Sequence, residues 1–494
     1  MSQRKTPMLS KSRFLAGRQC SLRLWHQCYN PDLASEVSPA QQAIFDTGHE
    51  VGKLATHLYP GGFPIKEDYL HRSKAVQATR AAMNHSEVPA IYEAGFLYGG
   101  VQIRVDILER LDDGRWNLIE VKSSTSVKEV HVPDVAIQYY VLQGSGLAIA
   151  RAAILHLSNQ YVYDGRQLEL ESLFSFSDLT EQVTSMQGVI SSQLDDLKRM
   201  LAGTDPPEIF PSRLCKSPYA CEFWEYCTRE IPEFWVLNLS GIDQKRLNEL
   251  AAMNIQDIRD IPNSFPLSLL QERIKTCVIN QEEYISSALE AELKDVQYPI
   301  HFLDFETVGI AIPRYPFTRP YQSIPFQWSD HILFEDSTLK HGAYLCDEDK
   351  DPRDEFGITL LETLGERGTI FTYTTYENRV INELVEYLPQ YRDKLLATLD
   401  RFKDLQALIK RYFYHPGFYG SFSLKSVLPA LVADMNYGDL AIQEGSQAFF
   451  EYLRMIDSST PHKEKEEVKK DLLAYSSHDT VAMVKIREEL LKRF

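Results

Sequence analysis

The chain has 494 residues, 44% hydrophobic and 24% charged, which places it among ordinary globular proteins with room for two or three domains. Its formal net charge of −17 argues against non-specific nucleic-acid binding, so any such contact must come from local basic strips. No apolar run reaches transmembrane length and MSQRKTPML lacks the apolar core of a signal peptide, so a cytoplasmic location is expected, with the seven cysteines reduced and read as ligands plus bystanders.

Residues 9–28, LSKSRFLAGRQCSLRLWHQC, predict a basic amphipathic helix leading to Cys20. GHEVGKLATHLYPGG at 48–62 predicts a short helix ending in a Gly-rich turn, and Ser73–His85 a further helix. VQIRVDILERLDDGRWNLIEVK, 101–122, predicts a β-hairpin turning at Asp112-Asp113-Gly114. Asp106 lies on its first arm. Glu120 and Lys122 lie on the second, and a period of two puts both on one face. Two hard oxygen ligands suit Mg²⁺ or Mn²⁺, and an adjacent ammonium can hold an attacking water or a developing oxyanion. An isolated Glu-x-Lys is most often a cross-strand ion pair. Here Val105, Ile107, Leu118, Ile119 and Val121 mark inner strands, where a charged trio is costly unless it is used. A helix over 132–144 with Gln138 and Tyr139, a strand at 152–157 and a largely helical stretch over 170–201 follow.

The segment CKSPYACEFWEYC spaces Cys215, Cys221 and Cys227 for thiolate ligation of Zn²⁺ or an iron–sulfur cluster, between which spacing does not choose. Cys20 is the candidate fourth ligand, while Cys28, Cys277 and Cys346 read as ordinary thiols. The hairpin trio resembles the PD-(D/E)XK nuclease core, which hydrolyses phosphodiesters. With the cysteines bracketing it, this half resembles the RecB-like iron–sulfur nucleases. That resemblance implies a [4Fe–4S] cluster on Cys20, Cys215, Cys221 and Cys227, stapling the ends of a restriction-endonuclease-like domain over 1–230. Two features depart from that class. Its Gln-x-x-x-Tyr is replaced by Gln138 followed by Leu142, and His49 and His57 are out of register for its metal-binding His.

Residues 231–296 predict a helical linker. LSGIDQKRLNELAAMNIQDIRDIP suggests two short helices around a turn at Met253–Asn254, and resembles a helix-hairpin-helix; a plain linker is equally consistent. Gln281–Leu293 reads as a charged helix. The last domain, 297–494, opens on YPIHFLDFE, where Asp304 and Glu306 share one face of a buried strand. Strands at 324–333 and 341–346 follow, then a strand running into a helix over 368–388 that carries Glu377. Asp404 is the rival carboxylate, with Glu377 favoured as ligand and Asp404 behind it. GSFSLKSVLPAL sets Lys425 at a helix start, available to a substrate phosphate. In the amphipathic helix 472–485, Tyr475 and Asp479 stand one turn apart.

DFET and Tyr-x3-Asp resemble the first and third motifs of the tyrosine-type DEDD (DnaQ-like, RNase H-fold) exonucleases, for whose histidine-type variant His478 is out of register. The resemblance implies that Asp304, Glu306, Glu377 and Asp479 hold two metals about 4 Å apart, with Tyr475 aligning the water. The whole α/β chain resembles a bacterial family fusing a RecB-like nuclease half to a YprB-like, RNase H-fold half. It implies a metal-dependent exonuclease with two active sites in repair, recombination or defence, with DNA the favoured substrate over RNA. A helicase or repair partner is expected, and no membrane. The alternative, prompted by the absent His and by Glu377 where Asp is usual, is a nucleic-acid-binding scaffold with one or both sites inactive. A zinc-stapled structural protein is the third reading.

Overall fold

The structure, a computed structural model, describes residues 7–67 and 71–494. The first six residues, part of the stretch behind the leader expectation, lie outside the described residues. It is a mixed α/β protein with two mixed β-sheets and many helices, in two compact units: Met1–Glu230 with Ile310–Tyr321, and Ile231–Gly309 with Gln322–Phe494. Among the described residues no helix is long and apolar enough to cross a membrane.

The first unit is built on the expected hairpin. Strands Val101–Arg110 and Trp116–Lys122 pair antiparallel with Ile107 opposite Ile119, and Gly114 takes the positive φ of +81° that the turn requires. The next strand, Ile149–Leu157, runs parallel to Trp116–Lys122, which forces a crossover over the sheet. Helix His131–Gly144 makes it, burying Val135, Ala136, Ile137, Val141 and Leu142 completely. Leu108 and Leu118 pack in the same core, while Ile107 and Ile119 turn to the opposite face against Val51 and Ala55 of helix Pro39–Ala55. Each such aliphatic contributes roughly 1.5–3 kcal/mol by leaving water. The expected helical stretch over 170–201 is interrupted. Phe174–Asp178, FSFSD, alternates apolar and polar residues and forms the edge strand against Ile149–Leu157, ahead of helices Thr180–Ser185 and Gln187–Leu201.

In the second unit, residues 231–296 depart from the expected helices in two places. After helix Gln244–Ala252 and the positive-φ Asn254, the second helix of the pair is only a 3-10 turn, Ile258–Asp260, capped by Asp257 and stopped ahead of Pro262. Gln281 ends helix Leu269–Asn280 in the left-handed conformation, so the expected helix over 281–293 becomes a short strand, Tyr284–Ile285, and helix Ala288–Lys294. The sheet of this unit runs, edge to edge, Leu339–Leu345, Ile324–Leu333, Ile300–Val308, Ile370–Thr372 and Phe402–Asp404. Its first three strands are antiparallel; the last two are parallel to the central one. The 30-residue helix His462–Leu491 lies across it and buries Leu472, Tyr475, Asp479 and Met483.

Candidate metal centre

In the second unit, strand Ile300–Val308 presents Asp304 and Glu306 on one face, and helix His462–Leu491 brings Asp479 to them. One ligand oxygen from each lies within 4.8 Å of the others. A polar ladder sets the height of the helix. Gln327 and Ser329, the cross-strand partners of Glu306 and Asp304, reach the helix, as does His331. The Gln327 amide donates to the Leu472 carbonyl at 3.0 Å and to Ser476 Oγ at 2.5 Å. Ser329 Oγ meets Thr480 Oγ1 at 2.9 Å, and His331 Nδ1 meets it at 2.8 Å.

Glu377, at the start of helix Tyr376–Tyr387, is buried and within electrostatic reach of Asp304 and Glu306, but it is outside the close trio. Asp404 is committed elsewhere: its carboxylate caps helix Leu405–Tyr412 by accepting from the Ala407 N–H at 2.8 Å. Asp304 Oδ2 and Glu377 Oε2 are buried with no hydrogen-bond donor among the described residues. Burial, then Asp479 and Glu306, pushes the Asp304 carboxyl well above the usual range; burial, then Asp479, does the same to Glu306. Glu377 rises to about 8 through burial, and Asp479 to about 6 through burial. Mutually repelling carboxylates, half-buried at Asp304 and Glu306 and buried at Glu377 and Asp479, are a donor set that fits a hard divalent cation. Tyr475 lies beside Asp479 as expected, and the Tyr437 hydroxyl donates to Asp479 Oδ1. Lys425 Nζ stands 5.3 and 5.6 Å from the ring centroids of Tyr437 and Tyr475 and donates to the Gln443 carbonyl. Tyr437 and the ladder escaped the sequence reading, because no spacing links them to Asp479.

The first unit gathers Asp106, Glu120 and Lys122 as expected, with more partners than the hairpin alone suggests. Asp106 Oδ2 accepts from the Val121 N–H at 2.7 Å, and the Lys122 ammonium donates to Glu120 Oε1 at 2.7 Å and Asp134 Oδ2 at 2.5 Å. Lys11, from helix Lys11–Gln19, donates to the same Glu120 oxygen at 2.7 Å and lies 3.4 Å from Asp134 Oδ1. Gln138 donates to Glu120 Oε2 at 2.7 Å. Burial, then Glu120, pushes Asp106 up to about 8. Burial works against the charge of Glu120, but Lys11 and Lys122 together hold it well below the usual carboxylate range. His49 and His57 are exposed, whereas His131 is buried, and burial followed by Lys122 holds its imidazole down to about 4, hence neutral. The carboxylate oxygens of this centre are held by Lys11, Lys122, Gln138 and the Val121 N–H, and among the described residues only the trio of Asp304, Glu306 and Asp479 sets three such ligand atoms within 4.8 Å of one another.

The four thiols are also brought together. Cys20 sits between helices Lys11–Gln19 and Ser21–Tyr29, and Cys215, Cys221 and Cys227 lie on the returning segment, all half-buried. The thiol of Cys215 feels Cys20, and that of Cys227 feels both. Burial pushes Cys221 up to about 11. A brace of Gln19, Arg23 and Gln27 holds the segment in place. Gln19 donates to the Leu214 and Tyr219 carbonyls at 2.5 and 2.7 Å, and Arg23 and Gln27 donate to the two oxygens of Glu222 at 2.9 and 2.6 Å. Four free thiols linked by electrostatic reach are the donor type that a thiophilic metal or cluster takes.

Residues 301–423 match a family described as a domain of unknown function (DUF2779), a span holding Asp304, Glu306, Glu377 and Asp404 but not Tyr475 or Asp479. No curated protein matches the chain. Among solved structures, one titled crystal structure of SSO0001 is similar at 13% identity, covering 47% of this chain and 90% of that one with a TM-score of 0.22.

Proposed function

We propose that the protein is a metal-dependent nuclease with a phosphodiester-hydrolysing centre in each unit. The close trio of half-buried Asp304 and Glu306 with buried Asp479, and buried Glu377 behind it, is the observation that supports this most, because such a set is costly in a protein that does not bind cations. The strand order and directions of the second sheet agree with an RNase H-like arrangement, and the hairpin with its crossover helix agrees with a PD-(D/E)XK core. Divalent metal, bound by Asp304, Glu306 and Asp479 or by Asp106 and Glu120, would supply Lewis-acid stabilisation of the phosphoryl oxygens. Tyr475 is placed to orient a water beside Asp479, and Lys425 to meet substrate phosphate. In the first unit Lys122 offers its ammonium to a developing oxyanion, with Asp134 and Glu120 holding it in position.

Degradation of end-labelled single-stranded DNA with Mn²⁺, using anaerobically purified protein, tests the reading. Lys122→Ala and Asp304→Ala are each expected to remove a distinct product pattern, and the double variant to be inactive. Cleavage by the double variant at the wild-type rate would defeat both site assignments. A wild type that binds DNA or RNA tightly but cuts neither would favour a scaffold.

The four thiols are proposed to hold a [4Fe–4S] group on Cys20, Cys215, Cys221 and Cys227, whose part is to tie the two N-terminal helices to the segment 215–227. Cys221→Ser is expected to lower bound iron to background, bleach the visible absorbance and raise the rate of proteolysis within 203–228 at least tenfold. Full iron retention in that variant would take Cys221 out of the ligand set, and stoichiometric zinc in place of iron would replace the cluster by a zinc site.

A further inference from the structure

Helix Lys11–Gln19, the start of helix His131–Gly144 and the cysteine-bearing segment enclose a groove of about 610 Å³, with Leu15, Arg18, Val132, Pro133, Met186 and Tyr219 on its walls. Most of that lining is apolar, and Arg18 is exposed in it. Tyr219 stands out. It sits between Cys215 and Cys221, its residue is 46% exposed, and its backbone carbonyl is pinned by the Gln19 amide at 2.7 Å. Its hydroxyl lies within electrostatic reach of Lys122, Asp134, Lys11 and Glu120, and the groove's Leu15 stands one helical turn from Lys11 and its Pro133 next to Asp134, so the groove lies beside the carboxylate–lysine centre. A nucleotide presents a flat apolar base joined to an anionic phosphate. The groove offers an aromatic wall, apolar sides and the charged Arg18 and Glu129, while Lys11 and Lys122, both paired with Glu120 and Asp134, stand in the adjoining centre. Bases held in a paired duplex keep their faces stacked on one another, so an exposed ring next to the centre suits an unpaired end.

We propose that this groove seats the unpaired nucleobase next to the scissile phosphate, stacked on Tyr219, which makes Tyr219 a positioning residue for a single-stranded substrate. The assignment rests on the nuclease reading of the first centre. Aromatic stacking on a base is sequence-tolerant, so the preference it confers is for strandedness rather than for sequence.

The test uses the full-length protein in Ca²⁺, with a single-stranded oligonucleotide carrying fluorescein at one end and 2-aminopurine near the other. Tyr219→Ala is expected to weaken binding between about 5- and 100-fold by anisotropy. Tyr219→Trp should stay within about threefold of wild type, because the stacking face is retained. Wild type and Tyr219→Trp should quench the 2-aminopurine fluorescence, and Tyr219→Ala should leave it near its free value, a signature that a purely structural tyrosine would not give. Tyr219→Leu, which keeps an apolar side chain of similar reach, serves as the second variant should the alanine disturb folding. Binding within twofold of wild type by both truncations, with quenching intact, overturns the stacking assignment while leaving the nuclease reading in place. A wild type that binds no oligonucleotide overturns both.

Discussion

Asp304→Asn is expected to abolish cleavage by the second unit, by about a thousandfold or more, while raising the melting temperature of the metal-free protein. The two effects share one cause. Asp304 is half-buried, its Oδ2 is buried with no hydrogen-bond partner among the described residues, and it faces Asp479, Glu306 and Glu377, so in the absence of a cation the four carboxyls repel one another. An isosteric amide removes one charge from that set and can donate to the neighbouring oxygens. The same repulsion fixes the pH dependence. Glu377 rises from 4.5 to about 8 in the native state, and Asp479 from 3.8 to about 6. Between the unfolded and native values the native protein binds more protons than the unfolded chain, so metal-free stability falls as pH rises. The fall spans about pH 4 to 6 for Asp479 and 4.5 to 8 for Glu377. Mn²⁺ should reverse it at pH 7.5, raising the wild-type melting temperature by on the order of 5 °C and that of Asp304→Asn by much less. Thermal scans across pH 5–8.5 with and without Mn²⁺, beside cleavage assays in a Lys122→Ala background, read both effects. Equal Mn²⁺ shifts in the two proteins would remove Asp304 from the ligand set.

What the sequence discloses about these centres is what local periodicity encodes. Glu120 and Lys122 share a face because strands repeat every two residues, and Tyr475 and Asp479 because helices bring i and i+4 together. Asp304 and Glu306 follow the first rule. The partners that complete the centres obey no such rule: Lys11 meets Glu120 across 109 residues, and Ser329 meets Thr480 across 151. Only folding brings them together. The edge strand Phe174–Asp178 was hidden for a different reason, since five residues between helix-forming stretches give a weak strand signal until a neighbouring strand pairs with them. Gln281 is a local surprise of a third kind, a left-handed residue that ends a helix without the glycine that usually announces it.

Those long-range partners make Glu120, rather than either lysine, the residue whose loss the first unit tolerates least. Glu120 is 2% exposed, with one oxygen accepting from both ammoniums and the other from Gln138. Glu120→Gln leaves Lys11 and Lys122 sharing Asp134 in a buried site, a broken ion pair worth about 3–5 kcal/mol. Lys122→Met removes the proposed oxyanion donor, yet Lys11 still answers Glu120 and Asp134, so it should cost cleavage by about a hundredfold or more with far less stability. The depressed Glu120 carboxyl contributes stability above about pH 4.5 that is lost as pH falls through its native value. The raised lysines contribute below about pH 10.5 and lose that contribution only above their native values. Asp106, pushed up to about 8, opposes them, its share of stability falling from about pH 4 to pH 8. Hydrogen exchange of the hairpin amides over 101–122 isolates these effects from the second unit. Protection in Glu120→Gln should drop by two to three orders of magnitude at pH 7, against less than one in Lys122→Met or Lys11→Met. Wild-type protection in Glu120→Gln would mean that the apolar face of helix His131–Gly144, and not the ion cluster, holds the hairpin closed.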